Sequence, residues 1–187
     1  MSPDRSACEF HGDGIVIRPW QRNDASALYE AARESIDTVG RWLPWCHENY
    51  ARADSAAWIE HCITTWDAGE QYAFAVLPDD RSRVLGGVGL NKFDGDRRMA
   101  NLGYWVRASA ERRGVATQAV RLVSAFGFEL GFAQFEIVAP MDNLASRRVA
   151  EKSGARFVGI ERSRIGFRGR RLDAAIYVLL PPAQNAA

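Results

Sequence analysis

The 187-residue sequence predicts a single α/β (α+β) domain in which a mostly antiparallel sheet is flanked by helices, and three observations lead there. Strand-like apolar runs at 72–77, 83–91 and 99–106 are separated only by the turn formers Pro78-Asp79-Asp80 and Asp94-Gly95-Asp96. Strands joined so briefly pair antiparallel, because a parallel neighbour needs a long crossover. The apolar period then turns helical, at Val115, Ala119, Leu122, Val123 and Phe126. A strand-then-helix opening and a closing hairpin frame these two blocks. The length suits one domain with a substantial core and is short for two of ordinary size.

Taken in order, residues 1–13 show no periodicity and read as a loose leader to a domain spanning 14–180, with 181–187 a tail. Residues 14–18 form a strand stopped by Pro19, and Asn23-Asp24 caps a helix over 25–35. The stretch 39–50 carries Trp42, Leu43, Trp45 and Tyr50, with Pro44 breaking any helix there. Such an aromatic cluster either packs into the core or lines a binding site or subunit contact. Asp54 caps the next helix, whose Ala57, Trp58, Cys62 and Trp66 recur at helical spacing until Gly69 ends it. After the meander, a helix from Val115 runs to about residue 131, a strand covers 135–139 and a helix covers 144–152. Strands at 156–167 and 171–180 close the chain, turning at Arg168-Gly169-Arg170. No repeat or low-complexity segment interrupts this order.

Composition narrows the function classes. With 47% hydrophobic and 25% charged residues and a net charge of +1, the chain is an ordinary globular one whose charge does not point to nucleic acid. No apolar run approaches the roughly 18–20 residues that cross a bilayer, and the start Met1-Ser2-Pro3-Asp4-Arg5 lacks an apolar signal core, so no membrane role and a cytoplasmic location are expected. Cys8, Cys46 and Cys62 are odd in number and read as free thiols. Cys46-His47 and His61-Cys62 invite a zinc reading, but adjacent residues diverge on a helix, and no metal is expected.

Two short segments carry chemistry. Between the strand ending at Val106 and the following helix lies Glu111-Arg112-Arg113-Gly114-Val115-Ala116-Thr117. A glycine at a loop-to-helix junction lets backbone N–H groups face outward, the helix N-terminus adds partial positive charge, and the arginines can pair with phosphate oxygens. The segment is not a Walker loop, since no Gly-Lys-Ser/Thr follows, and Gly86-Gly87-Val88-Gly89 lies inside a strand rather than between strand and helix. Farther on, Asn143 and Ser146 share one face at the start of a helix. The asparagine amide suits an amide-bearing arm, and the hydroxyl can donate a proton to a leaving thiolate. Each feature also has an ordinary explanation, as a solvated loop, an N-cap and a first-turn residue.

In combination, Tyr104-Trp105-Val106, Arg112 to Thr117, and Asn143-Leu144-Ala145-Ser146 through Gly154 resemble the acetyl-CoA core of the GNAT superfamily. Trp42-Leu43-Pro44-Trp45 and the closing Gly169-Arg170-Arg171-Leu172-Asp173 are similar to its Rim-type ribosomal-protein N-acetyltransferase branch. The resemblance implies the GNAT fold, with a central mixed, mostly antiparallel sheet. It implies that the Val106 backbone and Asn143 bind pantetheine, that Arg112, Arg113, Gly114, Val115, Ala116 and Thr117 hold the diphosphate, and that Lys152 reaches a CoA phosphate. Ser146 would be the general acid, and Trp42 and Trp45 one wall of the acceptor site. Two positions depart from the pattern. Glu111 stands where Gln or Arg is usual, and Ile165 stands where ribosomal-protein members carry a candidate base. Glu161, four residues earlier on the same face, is about 13 Å away in a regular strand.

The implied activity is transfer of acetyl from acetyl-CoA to an amine. Deprotonating a lysine-like amine at pH 7 costs about 4.6 kcal/mol, against roughly 1 kcal/mol for an α-amino group, which favours a protein or peptide N-terminus attacking directly. The alternatives are a small-molecule acceptor such as a polyamine or drug, and a non-catalytic acyl-CoA-binding module. A homodimer through the aromatic segment and the closing hairpin is also expected.

Overall fold

The computed structural model describes residues 2–182. Its elements are β1 (Phe10–His11), β2 (Ile15–Pro19), α1 (Ala25–Glu34), α2 (Arg52–Ala68), β3 (Tyr72–Pro78), β4 (Gly86–Asp94), β5 (Met99–Val106), α3 (Val115–Glu129), β6 (Gln134–Pro140), α4 (Leu144–Lys152), β7 (Arg156–Phe167) and β8 (Arg170–Leu179). The strands form one sheet in the order β1-β2-β3-β4-β5-β6-β8-β7. Every neighbouring pair is antiparallel except β5 and β6, which are joined by the α3 crossover and run parallel. The mixed, mostly antiparallel α/β sheet expected from the sequence is the one observed.

Alternation along β3 separates two cores. Phe74 and Val76 face α3 and α4, packing with Leu90, Leu102, Val123 and Phe126, while Ala73, Ala75 and Leu77 face α1 and α2, packing with Trp20, Leu28 and Ile59. Burying each Leu, Ile or Phe side chain contributes roughly 1.5–3 kcal/mol, so both helix pairs are held to the sheet chiefly by apolar area. Trp66 of α2 reaches into the first core, with its ring 5.0 Å from those of Tyr72 and Phe74.

The parallel pair gives the fold its opening. β5 and β6 are in register only over Met99↔Gln134, Ala100↔Phe135 and Asn101↔Glu136. Beyond that point β5 continues against β4 as far as Val106, and β6 continues against β8 as far as Pro140. The two strands therefore part like a V, and the inner edge of β5 from Leu102 onward has no strand partner among the described residues.

Three expectations are corrected. The segment 1–13 is not loose over its described part, residues 2–13. Phe10 pairs with Ile17 and sets its ring 5.5 Å from that of Phe126, Cys8 is buried, and the Trp66 indole donates to the Pro3 carbonyl at 2.9 Å. A two-residue strand is too short to show a period in sequence. Helix α2 begins at Arg52, so Asp54 is not its cap but reaches back to accept the Ala51 N–H at 2.8 Å. Its buried face is Ser55, Ile59, Cys62, Ile63 and Trp66, leaving Trp58 41% exposed. Asp24 does stand at the N-cap of α1 as expected, with no side-chain bond to that helix, because its carboxylate is taken by Arg18 at 2.7 Å and the Gln21 N–H at 2.8 Å. Residues 1 and 183–187, the latter most of the expected tail, lie outside the described residues. Among the described residues no helix is long and apolar enough to cross a membrane.

Candidate active site

The V between β5 and β6 opens into a cleft of about 760 Å³ that runs from the α3 N-terminus to the segment between α1 and α2. Of the residues singled out from sequence, Trp42, Trp45, Val106, Arg112, Gly114, Val115, Ala116, Thr117, Asn143, Ser146 and Lys152 all line it. Arg113 is exposed and is not among the lining residues.

At one end the β5–α3 loop delivers the start of a 15-residue helix. Arg112 and Gly114 both take left-handed backbone, at φ 59° and 81°, and these two turns bring the start of α3 to the wall of the cleft. Only glycine adopts such a conformation without strain, and a Cβ at Gly114 would meet nothing within 4 Å, so the space before it is open. Gly114 supplies no side-chain cap, leaving the N–H groups of Val115, Ala116 and Thr117 available to an anion. Arg112, Arg148 and Lys152 add positive charge around this end. Arg148 was not anticipated, because its position in mid-helix carries no motif.

The loop is braced from the far side by the end of α1. Glu34 accepts from the Arg107 guanidinium at 2.5 and 2.6 Å and from the Ser109 N–H at 2.8 Å. The neighbouring Ser35 hydroxyl, fully buried, accepts from the Ala108 N–H at 3.0 Å. Arg107 above all, with Ser109, holds the Glu34 carboxyl down at about 2.

Mid-cleft, Asn143 caps α4, its Oδ1 accepting the Ser146 N–H at 3.1 Å, which leaves its amide NH₂ to donate to another partner. Ser146 stands in the first turn and meets Tyr104 of β5 across the V. The Tyr104 hydroxyl donates to the Ser146 carbonyl at 2.8 Å, and the two hydroxyl oxygens lie 3.1 Å apart. With the phenolic proton committed to the carbonyl, the Ser146 hydroxyl is the donor of the second bond. Burial pushes the Tyr104 phenol up to about 12, so it stays protonated. Tyr104 is a site residue that sequence reasoning missed, because its partner lies 42 positions away.

The opposite end is aromatic. Trp45 meets Trp105 edge-on at 5.3 Å and Tyr50 at 5.6 Å, and Trp42 lines the same end. Ile165 also lines the cleft. The expected 13 Å between Ile165 and Glu161 does not hold, since a bulge at Ser163, φ 53° and held by Asp173 at 2.8 Å, lets the two face Leu172 and Ala174. Those partners are two residues apart, or about 7 Å. Glu161 nonetheless turns to Arg164 at 3.3 Å, which also binds Glu136 at 2.9 Å. Neither carboxylate lines the cleft. Cys8, Cys46 and Cys62 are buried free thiols, and among the described residues no three metal-ligating side chains come together.

Comparison with known proteins agrees with this geometry. Residues 15–156 match the family model described as the acetyltransferase (GNAT) domain. A Bacillus subtilis protein named "Putative ribosomal N-acetyltransferase YdaF" is 32% identical over 172 residues, covering 89% of this chain and 91% of the relative. Among solved structures, the microcin C7 self-immunity acetyltransferase MccE, in complex with acetyl-CoA and AMP, superposes with a TM-score of 0.84 at 20% identity, covering 90% of this chain and 93% of that one. Mycobacterium smegmatis RimJ, in complex with a CoA disulfide, gives 0.82 at 20% identity, covering 89% and 82%. At that identity the two structures speak for the fold alone.

Proposed function

This chain belongs to the GNAT acetyltransferase family, and from that premise we propose that it transfers acetyl from acetyl-CoA to an N-terminal α-amine of a protein or peptide in the cytoplasm. The observation that carries the reading is the convergence on one cleft of an uncapped helix N-terminus at Gly114, an unpartnered strand edge at 102–106 and the Ser146 hydroxyl. A diphosphate suits the first, an amide-bearing arm lying along β5 suits the second, and a leaving sulfur suits the third. Arg112 and Lys152 neutralise phosphate charge, and the Asn143 NH₂ meets the arm.

The amine attacks the thioester carbonyl directly, so that a C–N bond forms and the C–S bond breaks. Among the described residues no carboxylate lines the acceptor end, and the amine proton therefore passes to water. Ser146 passes a proton to the departing sulfur and is replenished from that water. The Tyr104 proton is committed to the Ser146 carbonyl at 2.8 Å, which makes Tyr104 the group that holds Ser146 in place rather than the acid. A second copy docked at the closing hairpin fits the exposed Phe157, Val158 and Ile160 of β7, and sedimentation measures it.

The test is CoA-thiol release from acetyl-CoA with N-terminal peptides and free polyamines as acceptors, for the wild type and Ser146→Ala. Peptide-dependent release that falls at least a hundredfold in the variant is expected. Unchanged turnover would remove Ser146 from the chemistry, and release with polyamines alone would overturn the acceptor class.

A further inference from the structure

Five of the six tryptophans of this chain, all but Trp66, line the cleft. The placement of Trp105 follows from strand register. On the α1/α2 face, Gly87 lies opposite Trp105, Gly89 opposite Gly103, and Asn91 opposite Asn101. The Trp105 indole folds over the neighbouring strand, since a Cβ at Gly87 would stand 2.6 Å from its Nε1. The next row has no side chains, and a Cβ at Gly103 would meet only Asn101 Nδ2 at 3.9 Å. The third row is an amide pair, Asn101 donating to Asn91 at 2.9 Å. Between Trp105 and Asn101, about 13 Å apart along the strand, lies a bare backbone floor the width of a ring.

The charges around this trough select further. Lys92 is the basic side chain at its amide end, and among the described residues the one carboxylate lining the whole cleft, Glu111, belongs to the donor loop. Glu136 and Glu161 are both engaged by Arg164, and Arg41 already lies over Trp42 at 5.3 Å. An ammonium-rich acceptor finds no counter-charge here.

We infer that the acceptor end takes an amine whose non-reacting part is a large apolar or aromatic group, seated over Gly103 against Trp105 and Trp45, and that it turns away polycations. The inference rests on the amine-acetylating reading above. The group is supplied either by the second residue of a peptide or by a free arylalkylamine, and the panel below separates them.

CoA-thiol release is measured with short peptides carrying tryptophan, alanine or lysine at the second position, and with free phenylethylamine, butylamine and spermidine. The aromatic member of one series should exceed its aliphatic counterpart in kcat/KM by at least tenfold, equivalent to about 1.4 kcal/mol, with the cationic member lowest. The series that shows this identifies the source. In Trp45→Ala, and in Gly103→Val, the aromatic preference should shrink below threefold, with acetyl-CoA binding and the melting temperature measured alongside as a check on folding. Rates within threefold across both series, spermidine as best acceptor, or an aromatic preference intact in both folded variants would overturn the inference while leaving amine acetylation standing. No turnover of any amine by a protein that binds acetyl-CoA would instead overturn the acetylating reading, and this one with it.

Discussion

Replacing Glu34 by Gln tests whether the end of α1 sets the donor loop. The carboxylate accepts from Arg107 and from the Ser109 N–H, and its folded pKa of about 2 lies well below the usual 4.5. Converted whole, that difference is about 3 kcal/mol. Glu34 is 31% exposed, and the Ser35–Ala108 bond survives the change, so solvent screening reduces the expected loss to about 1–2 kcal/mol. In a chain of this size that lowers the melting temperature by roughly 3–6 °C. The sign with pH is set by the depressed pKa. The stabilisation is present in full above about 4.5 and is lost as pH falls towards 2. Urea unfolding at a series of pH values should therefore show a constant wild-type advantage from neutrality down to pH 5, declining progressively from there towards pH 2. Calorimetric titration should show acetyl-CoA binding weakened three- to tenfold, because the loop starts α3. An advantage that persists unchanged to the lowest pH, or none at neutrality, would refute the electrostatic account.

Three further outcomes follow from the cleft. Tyr104→Phe removes both bonds to Ser146 and should lower kcat about tenfold by an equal factor from pH 6 to 9, since a phenol at about 12 does not titrate there; a pH–rate profile checks it. Gly114→Ala forces an alanine to φ 81°, which costs about 1–2 kcal/mol and misdirects the α3 N–H groups, so acetyl-CoA affinity and thermal stability should fall together in calorimetry. Arg112→Ala should weaken acetyl-CoA binding tenfold or more and flatten its salt dependence, whereas Arg113→Ala, exposed and outside the cleft wall, should change the dissociation constant less than twofold.

Elements governed by neighbouring residues were legible in the sequence. The predicted spans 99–106 and 144–152 match β5 and α4, the latter because Asn143 caps the first turn with its own side chain. The closing hairpin is legible for the same reason, since Gly169 sits at its turn. Errors arose where a residue type suits two roles. Aspartate serves equally at an N-cap and two or three residues later, and Asp54 takes the later place. Ala57 and Trp58 fit the helical period of α2, yet the sheet receives the stripe beginning at Ser55 and Ile59, and periodicity alone does not say which stripe meets a partner.

The same distinction divides the cleft. Its end at the α3 N-terminus is made of consecutive residues, so a loop, a glycine and a helix start reveal it in one dimension. The acceptor end is assembled by register. Gly103 is an unremarkable strand glycine until Gly89 is known to lie opposite it, and Trp105 becomes a wall because Gly87 lets its indole cross the neighbouring strand. The bulge at Ser163 likewise alters the spacing of Glu161 and Ile165 in a way that no period-two count contains. A motif search on such a chain therefore finds the end proposed to hold the acyl donor. The proposed acceptor end is written in cross-strand pairs, and substitution at Gly87, Gly103 or Trp105 should change acceptor preference without disturbing the loop before α3.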